Sequence, residues 1–308
     1  TPILNLLLHA NNYTDITHVL ILDEMNLSHV ERYFADFLSA MELKDKEKAL
    51  KVHSAVMAKT REGLDVPGCI DFPENLFVIG TVNIDETTYM FSPKVLDRAN
   101  VIEIHAEEKQ LENFLKGVAQ VTETEAIDYG ISFLDTARVI RNEEDHPLVP
   151  HLPVRDLAAD RLMQLYKIMK RGRGEFGFRT GREVLAYLRT AYFLTSEDKR
   201  AAWVATERAN PEDDHWMAAL DLQILQKILP KLHGSRTRLS PLLGALAQYC
   251  ATGQEAYAME HFPEAGKAPK RSLSDARNAQ NPQFPKSYQK LERMIEVLLE
   301  EQFVSFIC

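Results

Sequence analysis

Asp23 and Glu24 stand side by side at the end of the apolar run His18-Val-Leu-Ile-Leu22. Two neighbouring carboxylates on an extended backbone point in different directions, so they can serve two tasks. One can hold Mg²⁺ through its water shell while the other polarises an attacking water. Asn83 closes a second apolar run, Leu76-Phe-Val-Ile-Gly-Thr-Val82, and its amide could hold a water or a γ-phosphate oxygen facing Glu24. Arg98 ends the short segment Leu96-Asp-Arg98. A guanidinium there can stabilise charge that develops on a phosphoryl group bound by a neighbouring subunit. Each residue also has a plainer use: the acid pair at a helix N-terminus, Asn83 as a turn cap, Arg98 in a surface ion pair with Asp97 or Glu103.

The elements that must position these groups follow from periodicity. His18–Leu22 and Leu76–Val82 are predicted as strands buried on both faces of a parallel sheet, and Val101–Ile104 as a third strand. Ligands in such sheets sit beyond the carboxyl ends of the strands, where Asp23, Glu24 and Asn83 lie. Leu27, Val30, Phe34, Phe37, Leu38 and Met41 recur at steps of three and four, which predicts a helix behind the first strand. Residues 44–74, punctuated by Gly63, Pro67, Gly68 and Pro73, read as a hairpin or loop insertion too polar for a core. Pro93–Ala99 predicts a short helix.

After Ala106 the pattern is helical, with segments expected at 107–116, 124–142, 153–170, 182–195, 217–229, 240–252 and 287–302 and a proline-rich break over 261–285. The fold class expected is α/β followed by all-α. Residues 1–106 form the α/β part, 107–260 a helical lid and helical domain, and 261–308 a linker with a last helix.

Two longer blocks carry a family resemblance. They are Leu20-Ile-Leu-Asp-Glu-Met-Asn26 with Tyr33-Phe-Ala-Asp-Phe-Leu-Ser-Ala-Met-Glu42, and Asn75-Leu-Phe-Val-Ile-Gly-Thr-Val-Asn-Ile-Asp-Glu-Thr-Thr88 with Phe91-Ser-Pro-Lys-Val-Leu-Asp-Arg98. Together they resemble the AAA+ ATPase family, and more closely its McrB-like branch of NTP-driven motors in restriction systems. The match covers residues 18–106, with Walker B, sensor 1 and the arginine-finger helix in the family's order. The resemblance implies a partial P-loop NTPase core, a parallel sheet with flanking helices, that carries a helical lid and a helical C-terminal region. By it Asp23 is the Mg²⁺ carboxylate, Glu24 the water activator, Asn83 sensor 1 and Arg98 the finger. Arg179 and Arg182, in Phe176-Gly-Phe-Arg-Thr-Gly-Arg182, resemble the sensor 2 region of the lid, with Arg179 favoured.

The implied cofactors are Mg²⁺ and ATP or GTP. The implied partners are further copies of the chain in a ring, a nuclease subunit, and DNA reached through the complex. A finger acting in trans requires a head-to-tail interface. The family's phosphate cradle, G-x-x-x-x-G-K-[ST], does not occur in the sequence. Thr1 is therefore expected to fall inside an ATPase module, and the chain alone to bind nucleotide poorly and to be inactive as a hydrolase. A non-catalytic interaction module on a degenerate ATPase fold and a MoxR-like remodelling chaperone are the alternative readings.

Composition bounds these expectations. With 308 residues, 45% hydrophobic and 26% charged, the chain has the profile of a globular protein. A net charge of −9 excludes a protein that coats nucleic acid with its whole surface. The longest charge-free apolar stretch, Leu239–Gln254, is too short and polar to cross a bilayer. Cys69, Cys250 and Cys308 form no CxxC pair, which suits a reducing cytoplasm. Gly172-Arg-Gly-Glu-Phe-Gly177 matches a dinucleotide-binding pattern but follows a helix rather than a strand. Lys227–Arg238 sets four cations and a histidine around a glycine turn, a patch suited to phosphate contact or, more simply, a solvated loop. His146 and His151 have no cysteine nearby, so no zinc is expected.

Overall fold

The computed structural model describes residues 2–41, 49–59, 63, 65–83, 91–104, 108–117, 130–141, 152–205, 215–264 and 267–306. The chain divides into two compact units, Thr1–Phe91 with Ile102–Glu143, and Ser92–Val101 with Glu144–Cys308. The first is mixed α/β and the second largely helical. In chain order the first unit has α1 (Pro2–Asn12), β1 (His18–Leu22), a 3-10 turn at Met25–Leu27, α2 (Val30–Tyr33) and α3 (Ala35–Ala40). Five strands follow: β2 (Ala49–Lys51), β3 (Met57–Lys59), β4 (Asp65–Pro67), β5 (Cys69–Asp71) and β6 (Leu76–Gly80). Next comes α4 (Pro93–Leu96), which belongs to the second unit, whereas α5 (Glu108–Leu115) and α6 (Gly130–Arg141) return to the first.

β1 and β6 pair in parallel from His18 opposite Leu76 to Leu22 opposite Gly80. Burial on both faces is only half realised. His18 and Leu20 are buried, but Val19 and Ile21 keep 45% and 63% of their surface exposed, so the described residues leave that face uncovered. Residues 101–104 do not form the predicted third strand. Ile104 is 93% exposed, and the Val101 N–H donates to the Gln226 carbonyl at 2.9 Å. The helix predicted over 27–41 is split, because His29 and Phe34 leave helical geometry. Buried Phe34 stacks on Phe37 at 4.6 Å between ring centroids.

Within 44–74 the described residues form two antiparallel pairs, β2 with β5 and β3 with β4. Contrary to the polar reading, Leu50, Val66, Ile70 and Phe72 are buried, since alternation along each strand turns every second side chain to one face. The turn from α1 into β1 closes on the Asn75 amide nitrogen, which lies within 3.1 Å of the carbonyls of Ala10, Tyr13 and Ile16. His9 Nδ1 lies 2.8 Å from His18 Nε2 and ties the helix to the strand.

The second unit continues with α7 (Arg155–Arg171), α8 (Phe178–Leu194), α9 (Glu197–Trp203), α10 (Trp216–Gln223), β7 (His233–Ser235), α11 (Arg236–Thr252), α12 (Glu255–Met259), α13 (Pro285–Glu301) and β8 (Phe303–Ser305). α11 is buried on all sides from Leu242 to Cys250, as expected of a helix with no charge beyond Arg238 at the centre of a bundle. The segment predicted as one helix over 217–229 has three geometries: α10, a π-helical turn at Ile224–Ile228 and a 3-10 turn at Leu229–Lys231 that contains Pro230. The N-terminus of α13 is capped from α10. Both Asp221 carboxylate oxygens accept backbone N–H groups, from Lys286 and Ser287, at 2.9 Å. β7 and β8 pair antiparallel, His233 opposite Ser305.

The Gly172–Gly177 segment is a connection between α7 and α8, so its glycines have packing reasons. A Cβ at Gly172 would lie 2.6 Å from Leu242 Cδ1. Arg173, between two glycines, takes the left-handed conformation with φ 59°, which costs an L-residue about 1 kcal/mol.

Two predictions follow from buried charge. The Lys227 ammonium is 1% exposed and ion-pairs with Glu183, which is 35% exposed. Removing either partner should therefore have unequal effects. Glu183→Ala strands a buried cation and is expected to cost about 3 kcal/mol in denaturant unfolding, whereas Lys227→Met leaves a carboxylate that water can reach and should cost clearly less.

His261 is buried, and burial first, then the Arg271 charge, hold its pKa below the usual 6.5, with Asp275 and Glu260 opposing. The unfolded chain therefore binds the proton more readily than the folded one. This contribution to stability is full above pH 6.5 and declines as pH falls from 6.5 towards the lowered folded value. Stability curves of the parent and His261→Asn should diverge in that window, and parallel curves would contradict the assignment.

Candidate active site

The polar ends of β1 and β6 meet. The ladder runs one step past the strands, with Thr81 N–H donating to the Leu22 carbonyl at 2.9 Å and Met25 N–H to the Thr81 carbonyl at 3.0 Å. Between these bonds the chain turns sharply at Glu24, which sits in the left-handed region at φ 47°, ψ 46°. A non-glycine residue held there is strained, and such strain is concentrated at functional sites. The turn needs a bare backbone opposite it, because a Cβ on Gly80 would lie 1.8 Å from Met25 Sδ.

The Thr81 hydroxyl joins the two acids. It accepts the Glu24 N–H at 2.8 Å and donates to Asp23 Oδ1 at 2.5 Å. The Asn83 side-chain amide donates to Glu24 Oε1 at 2.7 Å. Behind it, buried Asn26 donates to the Asn83 carbonyl at 2.8 Å, and Tyr33 Oη–H donates to the Met25 carbonyl at 3.0 Å. Partial desolvation raises the Tyr33 pKa. Asp23, Glu24 and Asn83 are thus brought together, with one oxygen of each carboxylate engaged. Neither acid is ion-paired with a described residue. Two uncompensated carboxylates side by side attract a cation, and hard oxygen donors of this kind suit Mg²⁺, which needs only one or two carboxylates beside phosphate oxygens. Among the described residues no group of three or more His, Cys, Asp or Glu could hold a metal by itself.

Arg98, Arg179 and Arg182 belong to the second unit. Arg98 is half-buried just beyond α4, between two anchored neighbours: Asp97 ion-pairs with Lys231, and the Ala99 carbonyl accepts Lys227 Nζ–H at 3.1 Å. Arg179 is half-buried in the first turn of α8, and Arg182 is exposed almost one turn on. Lys231 also donates to the Thr180 hydroxyl at 3.1 Å. One ammonium thus fixes the residue beside Arg98 and the residue beside Arg179. Lys227 and Lys231 are consequently tied inside the unit rather than offered to solvent, which corrects the basic-loop reading of Lys227–Arg238 for its first half, whereas Arg236 and Arg238 are exposed.

Sequence reasoning missed Thr81, Asn26 and Lys231. Thr81 carried a signal, a hydroxyl two residues before Asn83 at a strand end, but the partners of Asn26 and Lys231 are set by tertiary packing. Cys69 is exposed, and Cys250 is buried with its thiol pKa pushed well up by burial and then by the Asp221 charge, so Cys250 is not a nucleophile. Cys308, His146 and His151 lie outside the described residues. No described helix is long and apolar enough to cross a membrane.

Thr81→Val keeps the side-chain shape but removes both hydrogen bonds of the hydroxyl. It should cost about 1–2 kcal/mol in chemical unfolding and expose the Glu24 amide to faster hydrogen exchange, whereas Thr81→Ser should restore both.

Residues 140–303 match a family described as Domain of unknown function (DUF8727). No curated protein and no solved structure matches the chain. Because the match takes in more than half of the sequence, the chain belongs to the DUF8727 family.

Proposed function

We propose that this chain is part of a subunit of an AAA+ NTPase motor of the McrB-like kind. The subunit hydrolyses ATP or GTP in a ring and is coupled, through a nuclease partner, to DNA restriction or defence. The observation that carries this reading is the strained Glu24 turn, where a carboxylate at one strand tip accepts the Asn83 amide from the adjacent parallel strand at 2.7 Å. The tips of parallel strands are where α/β proteins place phosphate ligands. The P-loop core itself, with its phosphate-cradling amides and lysine, is part of the proposal, and its G-x-x-x-x-G-K-[ST] run does not occur in these 308 residues.

In this mechanism Asp23 holds Mg²⁺, which neutralises charge on the β- and γ-phosphate oxygens when bound. Thr81 fixes Asp23 by donating to Oδ1, so Oδ2 would be the oxygen left to a hydrated Mg²⁺. Asn83 does the same for Glu24, leaving Oε2 to accept a proton from the water that attacks the γ-phosphorus. The bond from the γ-phosphorus to the bridging oxygen breaks as the new P–O bond forms. The proton passes through Glu24 to the released phosphate. Arg98 acts on the nucleotide of a neighbouring subunit, where its guanidinium stabilises the charge of the transition state. Arg179, with Arg182 as the second candidate, reports nucleotide occupancy to the helical unit.

The test is hydrolysis of ATP and of GTP by the full gene product with Mg²⁺. Glu24→Gln should retain nucleotide binding and lose turnover by about 100-fold or more. Arg98→Ala should lose the part of the turnover that rises with assembly, by about 1,000-fold. A Glu24→Gln variant that hydrolyses at the parental rate overturns the assignment.

A further inference from the structure

An open cleft of about 520 Å³ in the second unit is lined by Lys167, Lys170, Arg171, Arg173, Glu255 and Met259. Four cations within seven residues of sequence face a single carboxylate, in a chain whose net charge is −9. Lys167 spends its charge on Glu255 at 2.9 Å. The other three have no ion-pair partner among the described residues. Arg171 is steadied by donating to the Pro263 carbonyl at 3.0 Å, and the Lys170 ammonium lies 5.9 Å from the centroid of the Tyr166 ring. Both remain exposed.

A helix C-terminus favours cations through its dipole, and that accounts for charge at Lys170 and Arg171. It does not account for Arg173. α7 ends with Gly174 N–H donating to the Met169 carbonyl at 2.9 Å, a closure whose left-handed position is ordinarily glycine. Here glycine stands on both sides and arginine occupies the left-handed position, with φ 59°. The chain keeps a guanidinium at the mouth of the cleft where its backbone favours no side chain.

We infer that this cleft binds the phosphodiester backbone of nucleic acid. From Lys170 to Arg173 the three uncommitted cations span about 4.5 Å along the helix axis, and with the reach of their long side chains they match roughly two to three adjacent phosphates of one duplex strand at about 3.4 Å each. Contact of this kind positions a nucleic acid without reading its sequence. It is independent of nucleotide hydrolysis and gives the helical unit a direct contact of its own. The segment Lys227–Arg238 is the weaker candidate, because Lys227 and Lys231 are committed to Glu183 and Asp97 and, of its cations, only Arg236 and Arg238 remain exposed.

The test is fluorescence anisotropy of the full chain with labelled mixed-sequence duplex and single-stranded oligonucleotides over a salt series, without nucleotide. The parent should bind with log K falling against log salt at a slope of about −3. The triple variant Lys170→Glu, Arg171→Glu, Arg173→Glu should bind at least ~10-fold more weakly with a slope near zero. Arg293→Glu, a charge change on α13 outside the cleft, should alter neither. Arg173→Gly separates binding from folding. It should raise Tm by about 2 °C through relief of the left-handed arginine while making the slope shallower by about 1.

If Arg171→Glu disturbs the Pro263 contact and the triple variant does not fold, the pair Lys170→Glu, Arg173→Gly carries the same comparison. Equal binding by parent and cleft variants, no binding to either oligonucleotide, or binding to vesicles of anionic phospholipid in place of both oligonucleotides overturns the inference.

Discussion

One hydroxyl holds the candidate site together. Thr81 accepts from the Glu24 backbone and donates to the Asp23 carboxylate, so a single side chain on β6 sets both the path of the β1 turn and the orientation of its first acid. Without that acceptor, Glu24 would have a backbone N–H to satisfy at a point where its conformation is already unfavourable. The parallel register from His18 with Leu76 to Leu22 with Gly80 is what delivers Thr81 to this position. A one-residue slip would turn the hydroxyl to the opposite face. The small sheet therefore holds the two acids through its alignment more than through its extent.

The second unit shows the same economy with cations. Lys227 and Lys231 come from consecutive tight turns, and each holds one flank of Arg98, through Ala99 and Asp97. Their partners within the helical unit, Glu183 and Thr180, both lie on α8. The segment Ser92–Val101 is thus fastened at three points to residues 125 or more positions away, the third being the Val101 bond to Gln226. Those distant anchors all fall inside the residues matched to the DUF8727 family, so the family's helical region does more than pack on itself: it fixes the setting of an arginine outside its own span.

Much of this was legible in the sequence. The runs His18–Leu22 and Leu76–Val82 gave strands, the second observed over Leu76–Gly80, because no acid, lysine or arginine interrupts them, and the polar residues at their ends gave the candidate site. Helices α7, α8, α11 and α13 follow apolar steps of three and four and fall within a few residues of their expected bounds. The misses have physical causes. Val101–Ile104 has strand composition, yet its first N–H is claimed by Gln226, and composition cannot reveal which partner a backbone finds. Lys227–Arg238 looks like a solvated patch because a buried ion pair leaves no local trace, since Glu183 lies 44 residues upstream of Lys227. The basic end of α7 has the opposite character. Its charges are adjacent in sequence, but only the unusual backbone of Arg173 sets it apart from ordinary dipole compensation.

The cap of α13 by Asp221 has a consequence for how the helical unit forms. A capping acid within one or two residues of a helix lets that helix nucleate alone, whereas Asp221 is 64 residues from Pro285 and contributes only once α10 has docked. The pairing of β7 with β8 imposes a similar separation. Contacts that span such loops raise the contact order of an otherwise helical domain and make it fold more slowly than its secondary structure suggests. They also bind α10 and α13 into one cooperative transition, so α13 should melt with the core and not fray ahead of it.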